Sequence, residues 1–164
     1  MGLDMYLQAR KHVSHPRFVD ASPQQYADRQ EEAAQFDQIV ETLKVKDLVD
    51  PGSPSAVVEV NVGYWRKANA IHGWFVEHTQ GGVDDCRDQY VTRDQLVTLL
   101  GIVNLALATK DPSLLPPRSG FFFGTYDIDE WYWSDLQHTH KVLTRVLNSE
   151  VLDDGWSFYY HSSW

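Results

Sequence analysis

The chain has 164 residues, 43% of them hydrophobic and 13% aromatic, with fourteen basic against twenty-three acidic side chains and a formal net charge of −9. That length fits one globular domain with a core of its own, and the apolar share excludes whole-chain disorder. The charge speaks against a surface that tracks nucleic-acid phosphates, since such affinity rests on Lys and Arg displacing counterions, so direct nucleic-acid binding is not expected.

Leu3, Met5, Leu7 and Ala9 alternate with polar residues, the period of a half-buried strand. After a polar loop, Ser22-Pro23-Gln24-Gln25 combines an N-cap, proline at the first helical position and Gln at the third. Tyr26, Ala33, Phe36, Val40 and Leu43 share one helical arc, which predicts a helix from Pro23 to about Lys46. Asp50 to Ser55 breaks the chain as a loop. Val58, Val60 and Val62 then alternate as a second strand. A helix is predicted from Tyr64 to Thr79, stopped by Gly81-Gly82. A short strand near Cys86 to Val91 leads into the capping box Thr92-Arg93-Asp94-Gln95, which opens a helix to about Thr109. Asp111 to Gly120 holds three prolines and reads as a loop, and Phe121 to Phe123 as a buried strand. Asp127 and Glu130 have the spacing of N-cap and third helical residue, with the helix running to about Asn148, and Trp156 to Trp164 closes the chain as an aromatic strand. The expected fold is a single α+β domain over residues 1–164: a mixed, largely antiparallel sheet of about five strands packed by about four helices. Both terminal strands read as half-exposed, so they are candidates to pair across a homo-oligomer.

Two faces carry the informative residues. On a helical wheel at about 100° per residue, Trp65, Ala68, Ile71, Phe75 and Val76 share an arc into which Asn69 and His72 intrude. A buried amide or imidazole without partners costs about 1–3 kcal/mol. Each must therefore be bonded inside the fold or face a cleft. Asp135 and Thr139 intrude in the same way on an arc built from Trp131, Tyr132, Leu136, Val142 and Leu143. The expectation is that Asp135 orients His72 and fixes its tautomer. Arg66 and Lys67 beside Tyr64 and Trp65 have the make-up of a grip on a ring-bearing anion, unless the ring is core and the cations are solvated.

Other chemistries are less well served. Cys86 is the only cysteine, so an internal disulfide and a CxxC pair are excluded, which suits a reducing compartment, and the residue reads as a small apolar strand position. His72 and His78, six apart, diverge on a helix, and His138 and His140, two apart, diverge as well. Neither HExxH nor an EF-hand loop is present, so no metal and no cofactor is expected. No GxSxG elbow appears. Met1 to Tyr6 lacks the features of a signal peptide, and the apolar stretch from Leu96 to Ala108 is too short to span a bilayer. A cytoplasmic protein without membrane contact is expected.

The opening Met1-Gly2-Leu3-Asp4-Met5-Tyr6-Leu7, the block Tyr64-Trp65-Arg66-Lys67-Ala68-Asn69-Ala70-Ile71-His72 followed by Trp74-Phe75-Val76, and Asp84-Asp85-Cys86 form one set of blocks along the chain. Ser119 to Gly124, Glu130-Trp131-Tyr132 and Ser162-Ser163-Trp164 continue it. Together they resemble a family of small phage and prophage proteins. The resemblance implies a phage setting in a bacterial host and brings no established reaction. The leading expectation is a binding protein, more readily than an enzyme. It would hold a small anionic or nucleotide-like ligand at Tyr64, Trp65, Arg66, Lys67, Asn69, His72, Trp131 and Asp135, and so sequester a host signal or counter a host defence. The alternatives are an acidic interaction module that inhibits a host protein, and a metal-dependent hydrolase.

Overall fold

The computed structural model describes residues 2–15, 22–118 and 127–164. The described chain is α+β, with four helices and four strands in one antiparallel sheet. In order these are β1 (Asp4–Ser14), α1 (Pro23–Thr42), β2 (Ser55–Arg66), α2 (Asn69–Thr79), β3 (Gln89–Val91), α3 (Arg93–Thr109), α4 (Glu130–Leu147) and β4 (Trp156–Ser163). The sheet order is β2-β1-β4-β3, with Gln89 opposite Tyr160 and Val91 opposite Phe158. The strand count is thus four, not about five; the strand expected over Phe121 to Phe123 lies outside the described residues. The terminal strands are also not edges. They are the two central strands, paired on both sides, and the edges are β2 and β3.

The chain divides into two compact units, Met1–Ala9 with Val60–Trp164, and Arg10–Glu59. In the larger unit the predicted alternation holds: Leu3, Met5, Leu7 and Ala9 are fully buried. They join Trp65 of β2, Ile71 and Phe75 of α2, Leu96, Leu99 and Val103 of α3, Leu136 and Leu143 of α4, and Phe158 and Tyr160 of β4 in one core. Phe75 stacks on Tyr160 with ring centroids 4.0 Å apart. In the smaller unit Val13, Phe36 and Val40 form a core of their own, with Ile39, Val45, Val49 and Ala56 packed on it.

Capping chemistry sets the helix ends. Both predicted capping boxes form, Ser22 with Gln25 and Thr92 with Gln95. The first helix is shorter than expected because Lys44 turns left-handed and the Val45 amide bonds back to the Val40 carbonyl, closing the helix at Thr42. At the stop of α2 both Gly81 and Gly82 take positive φ, and the Gly82 amide bonds the Val76 carbonyl. Asp129, not Asp127, is the N-cap of α4; its carboxylate accepts from the Trp131 and Tyr132 amides.

The largest correction concerns Tyr64 to Arg66, which finish β2 and do not begin a helix. Exposure alternates there, with Gly63 and Trp65 buried and Tyr64 and Arg66 exposed. The Lys67 amide bonds the Leu3 carbonyl at 2.8 Å, so pairing to β1 continues past the strand's end. Lys67 then takes φ 59°, a left-handed turn that stops the strand and lets α2 start at Asn69. Cross-strand partners hold the segment extended: Tyr64 donates to Asp4 and stacks obliquely on Tyr6. Cys86, likewise, precedes β3 in a turn at φ 60°. No described helix is long and apolar enough to cross a membrane.

Candidate functional site

A cavity of about 370 Å³ opens where β2 passes into α2 and faces the start of α4. That volume lies in the range of small-ligand sites. One wall is the continuous run Arg66 to Ile71. The other is Asp127, Asp129, Trp131, Tyr132, Asp135 and Leu136. Five of the eight residues singled out from the sequence therefore meet here: Arg66, Lys67, Asn69, Trp131 and Asp135. Tyr64, Trp65 and His72 are not part of the lining.

The two walls are opposite in charge. Arg66 and Lys67 sit on the first, both exposed, and neither makes an ion pair or hydrogen bond through its side chain among the described residues. The same wall contains the first turn of α2, whose N-cap, Ala68, offers no side-chain acceptor. The leading amides of a helix favour a negative charge. Asn69 is 7% exposed and contributes an amide able to donate and to accept.

On the second wall Asp129 is committed to capping α4. Asp135 caps nothing, and among the described residues nothing donates a hydrogen bond to its carboxylate. Burial pushes its carboxyl up to about 6; His138 pulls against the rise and Asp129 adds to it. Trp131, placed by periodicity on the buried face, is 78% exposed at the cavity rim, because its neighbour Tyr132 is the residue of that turn that enters the core. Tyr132, one residue on, is buried, donates to the Leu115 carbonyl and has its hydroxyl pKa pushed to about 12, chiefly by burial.

His72 belongs to a different constellation, and its expected pairing with Asp135 is overturned. Its ring is fully buried; Nε2 meets the Asp84 carboxylate at 2.8 Å and Nδ1 the Tyr160 hydroxyl at 2.7 Å. A carboxylate only accepts, so Nε2–H donates to Asp84 and the Tyr160 hydroxyl donates to Nδ1 of the neutral ring. Burial holds the His72 pKa below its ordinary value, with Asp84 opposing, and burial drives the Tyr160 hydroxyl well up. The Trp164 indole N–H donates to the other oxygen of Asp84 at 3.3 Å. Thr139, the other polar intrusion on α4, accepts from the buried Trp65 indole at 2.9 Å and donates to the Asp135 carbonyl at 2.7 Å. Trp65 is thus core, 2% exposed, and Tyr64 is a cross-strand residue.

On the second wall Tyr132, Asp127, Asp129 and Leu136 line the cavity without having been singled out as site residues. The spacing of Tyr132, Asp135 and Leu136, three and four apart, was the available signal. Asp84 gave none, since it sits in a loop without periodicity. Among the described residues no three His, Cys, Asp or Glu side chains gather to hold a metal ion. No family model, curated protein or solved structure matches the chain.

Proposed function

We propose that the protein binds a small ring-bearing anion of nucleotide type in this cavity. The observation that carries the reading is the pair of cations without partners among the described residues, Arg66 and Lys67, on the wall that faces Trp131 and Tyr132. An anionic group seated near the two cations also meets the uncapped start of α2, while the attached ring lies against the aromatic wall. The phage resemblance supplies a setting: a protein in the host cytoplasm that sequesters a nucleotide signal and so counters a defence that depends on it.

Thermal denaturation against nucleoside monophosphates, the parent nucleosides and inorganic phosphate tests the reading. A ligand at a hundred times its Kd stabilises the folded state by about 2.7 kcal/mol, which for a chain of this size raises Tm by roughly 5–10 °C. Nucleotides are expected to produce that shift and nucleosides a smaller one, with both shifts reduced in an Arg66→Ala, Lys67→Ala variant. If no nucleotide moves Tm, the reading fails.

One observation favours the second reading, an interaction module that inhibits a host protein. Trp131 leaves most of its indole in solvent, and aromatic side chains of this kind anchor protein interfaces. Host-protein capture that depends on Trp131 and persists in the Arg66→Ala, Lys67→Ala variant would favour it over ligand binding.

A further inference from the structure

We infer that the ligand carries an amino group as well as an anionic one, so that the cavity selects amino-bearing bases over otherwise identical bases that lack the group, through the Asp135 carboxylate. This rests on the binding reading above and names its ligand class.

The walls lead to this class. Arg66 and Lys67 stand on one side, Asp127 and Asp135 on the other, and no ion pair joins the two sets. Arginine, lysine and carboxylates that shared a collapsed site would pair with one another. Here the cavity keeps them apart, and a bipolar ligand that spans it satisfies both. A purely anionic ligand leaves Asp135 without a donor and adds repulsion.

Asp135 also has the right place for reading a ring edge. It follows Tyr132 by three residues and Trp131 by four, so all three share one face of α4. A ring laid against either aromatic side chain points an edge along the helix toward the next turn, about 5.4 Å away, where Asp135 stands. A carboxylate only accepts. It pairs with an exocyclic amino group and finds no donor at that position in a base that lacks the group.

The test compares adenosine with purine riboside monophosphate, and guanosine with inosine monophosphate, pairs that differ only in the amino group, by calorimetric titration of the full chain. The wild type is expected to bind the amino member of at least one pair about tenfold more tightly, in line with a half-buried acceptor left unmet when the donor is removed. Asp135→Asn, nearly identical in shape and uncharged, is expected to reduce the preference. Equal affinities within both pairs in the wild type, or a preference for the member without the amino group, overturn the inference and leave the binding reading standing. An unchanged preference in folded Asp135→Asn overturns the role of Asp135. Absence of binding by all four nucleotides overturns both readings. The wild-type comparison stands alone if the variant does not fold.

Discussion

Asp135→Asn should stabilise the free protein at neutral pH and not at acid pH. Burial raises the Asp135 carboxyl to about 6 against an ordinary 3.8. Between those values the folded state binds more protons than the unfolded state, so stability falls as pH rises through the window and levels off above about 6. At about 1.4 kcal/mol per pKa unit, the ionised carboxylate costs the folded state about 3 kcal/mol at pH 7.5. The neutral amide removes the charge and still leaves a polar group short of partners, worth about 1 kcal/mol in the other direction. The variant should therefore exceed the wild type by about 2 kcal/mol at pH 7.5, with the advantage gone by pH 4. Urea unfolding of both proteins from pH 4 to pH 8 measures the difference, in which titrations common to the two cancel. A gap that stays constant across that range would refute the reasoning.

Four further outcomes follow from the core. Thr139→Val keeps the side chain's shape and strands the Trp65 indole N–H, so denaturant unfolding should show a loss of about 1–3 kcal/mol. A double-mutant cycle of His72→Ala with Asp84→Ala should give a coupling of about 0.5–3 kcal/mol, while His72 with Asp135 should be close to additive; the reverse ranking would contradict the observed pairing. Gly63→Ala sets a Cβ 2.8 Å from both the Trp65 ring and a Val142 methyl, an overpacking expected to cost about 1–3 kcal/mol and to lower Tm. The His72 ring, followed by NMR, should titrate below 6.5. Because burial lowers its folded pKa, protonation favours the unfolded chain, and its contribution to stability is lost as pH falls below 6.5. A midpoint at or above 6.5 would contradict that.

Much of the fold was legible because local chemistry and tertiary context agree over most of the chain. Ser22 with Gln25 and Thr92 with Gln95 cap helices wherever they stand, and the alternation of Leu3 to Ala9 leaves only one face to bury. Tyr64 to Arg66 misled for the opposite reason. Trp65 fits a helical arc with Ile71 and Phe75 as well as it fits an alternating strand with Gly63. The choice is made by β1, at the start of the chain, through the Lys67 amide and the Leu3 carbonyl. Long-range pairing overrides a local period, and nothing in a short window of sequence reports it. The site was legible in its members and not in its geometry. Arg66, Lys67, Asn69, Trp131 and Asp135 drew notice as charges and polar intrusions, but the rule that buried polar groups find one another suggested pairing Asp135 with His72. Asp84 takes that place from a loop without periodicity.

The intrusion of Asn69 and His72 on one helix thus divides into two functions. The cavity wall is the run from Arg66 to Ile71, and it is fixed just inside one end and just beyond the other. At the strand end the Lys67 amide is tied to β1. At the helix end His72, the first residue past the wall, is held by Asp84 on one ring nitrogen and Tyr160 on the other. On the proposed binding reading, a wall held at both ends presents Arg66, Lys67 and Asn69 without having to be ordered when a ligand arrives, and that saving appears as affinity. His72 therefore acts on the site from beneath. Replacing it with Phe preserves a ring, removes both ties and leaves every lining side chain in place. The expected result is weaker nucleotide binding in a protein whose preference for the amino-bearing base is unchanged. A loss of that preference would mean instead that His72 reads the ligand itself.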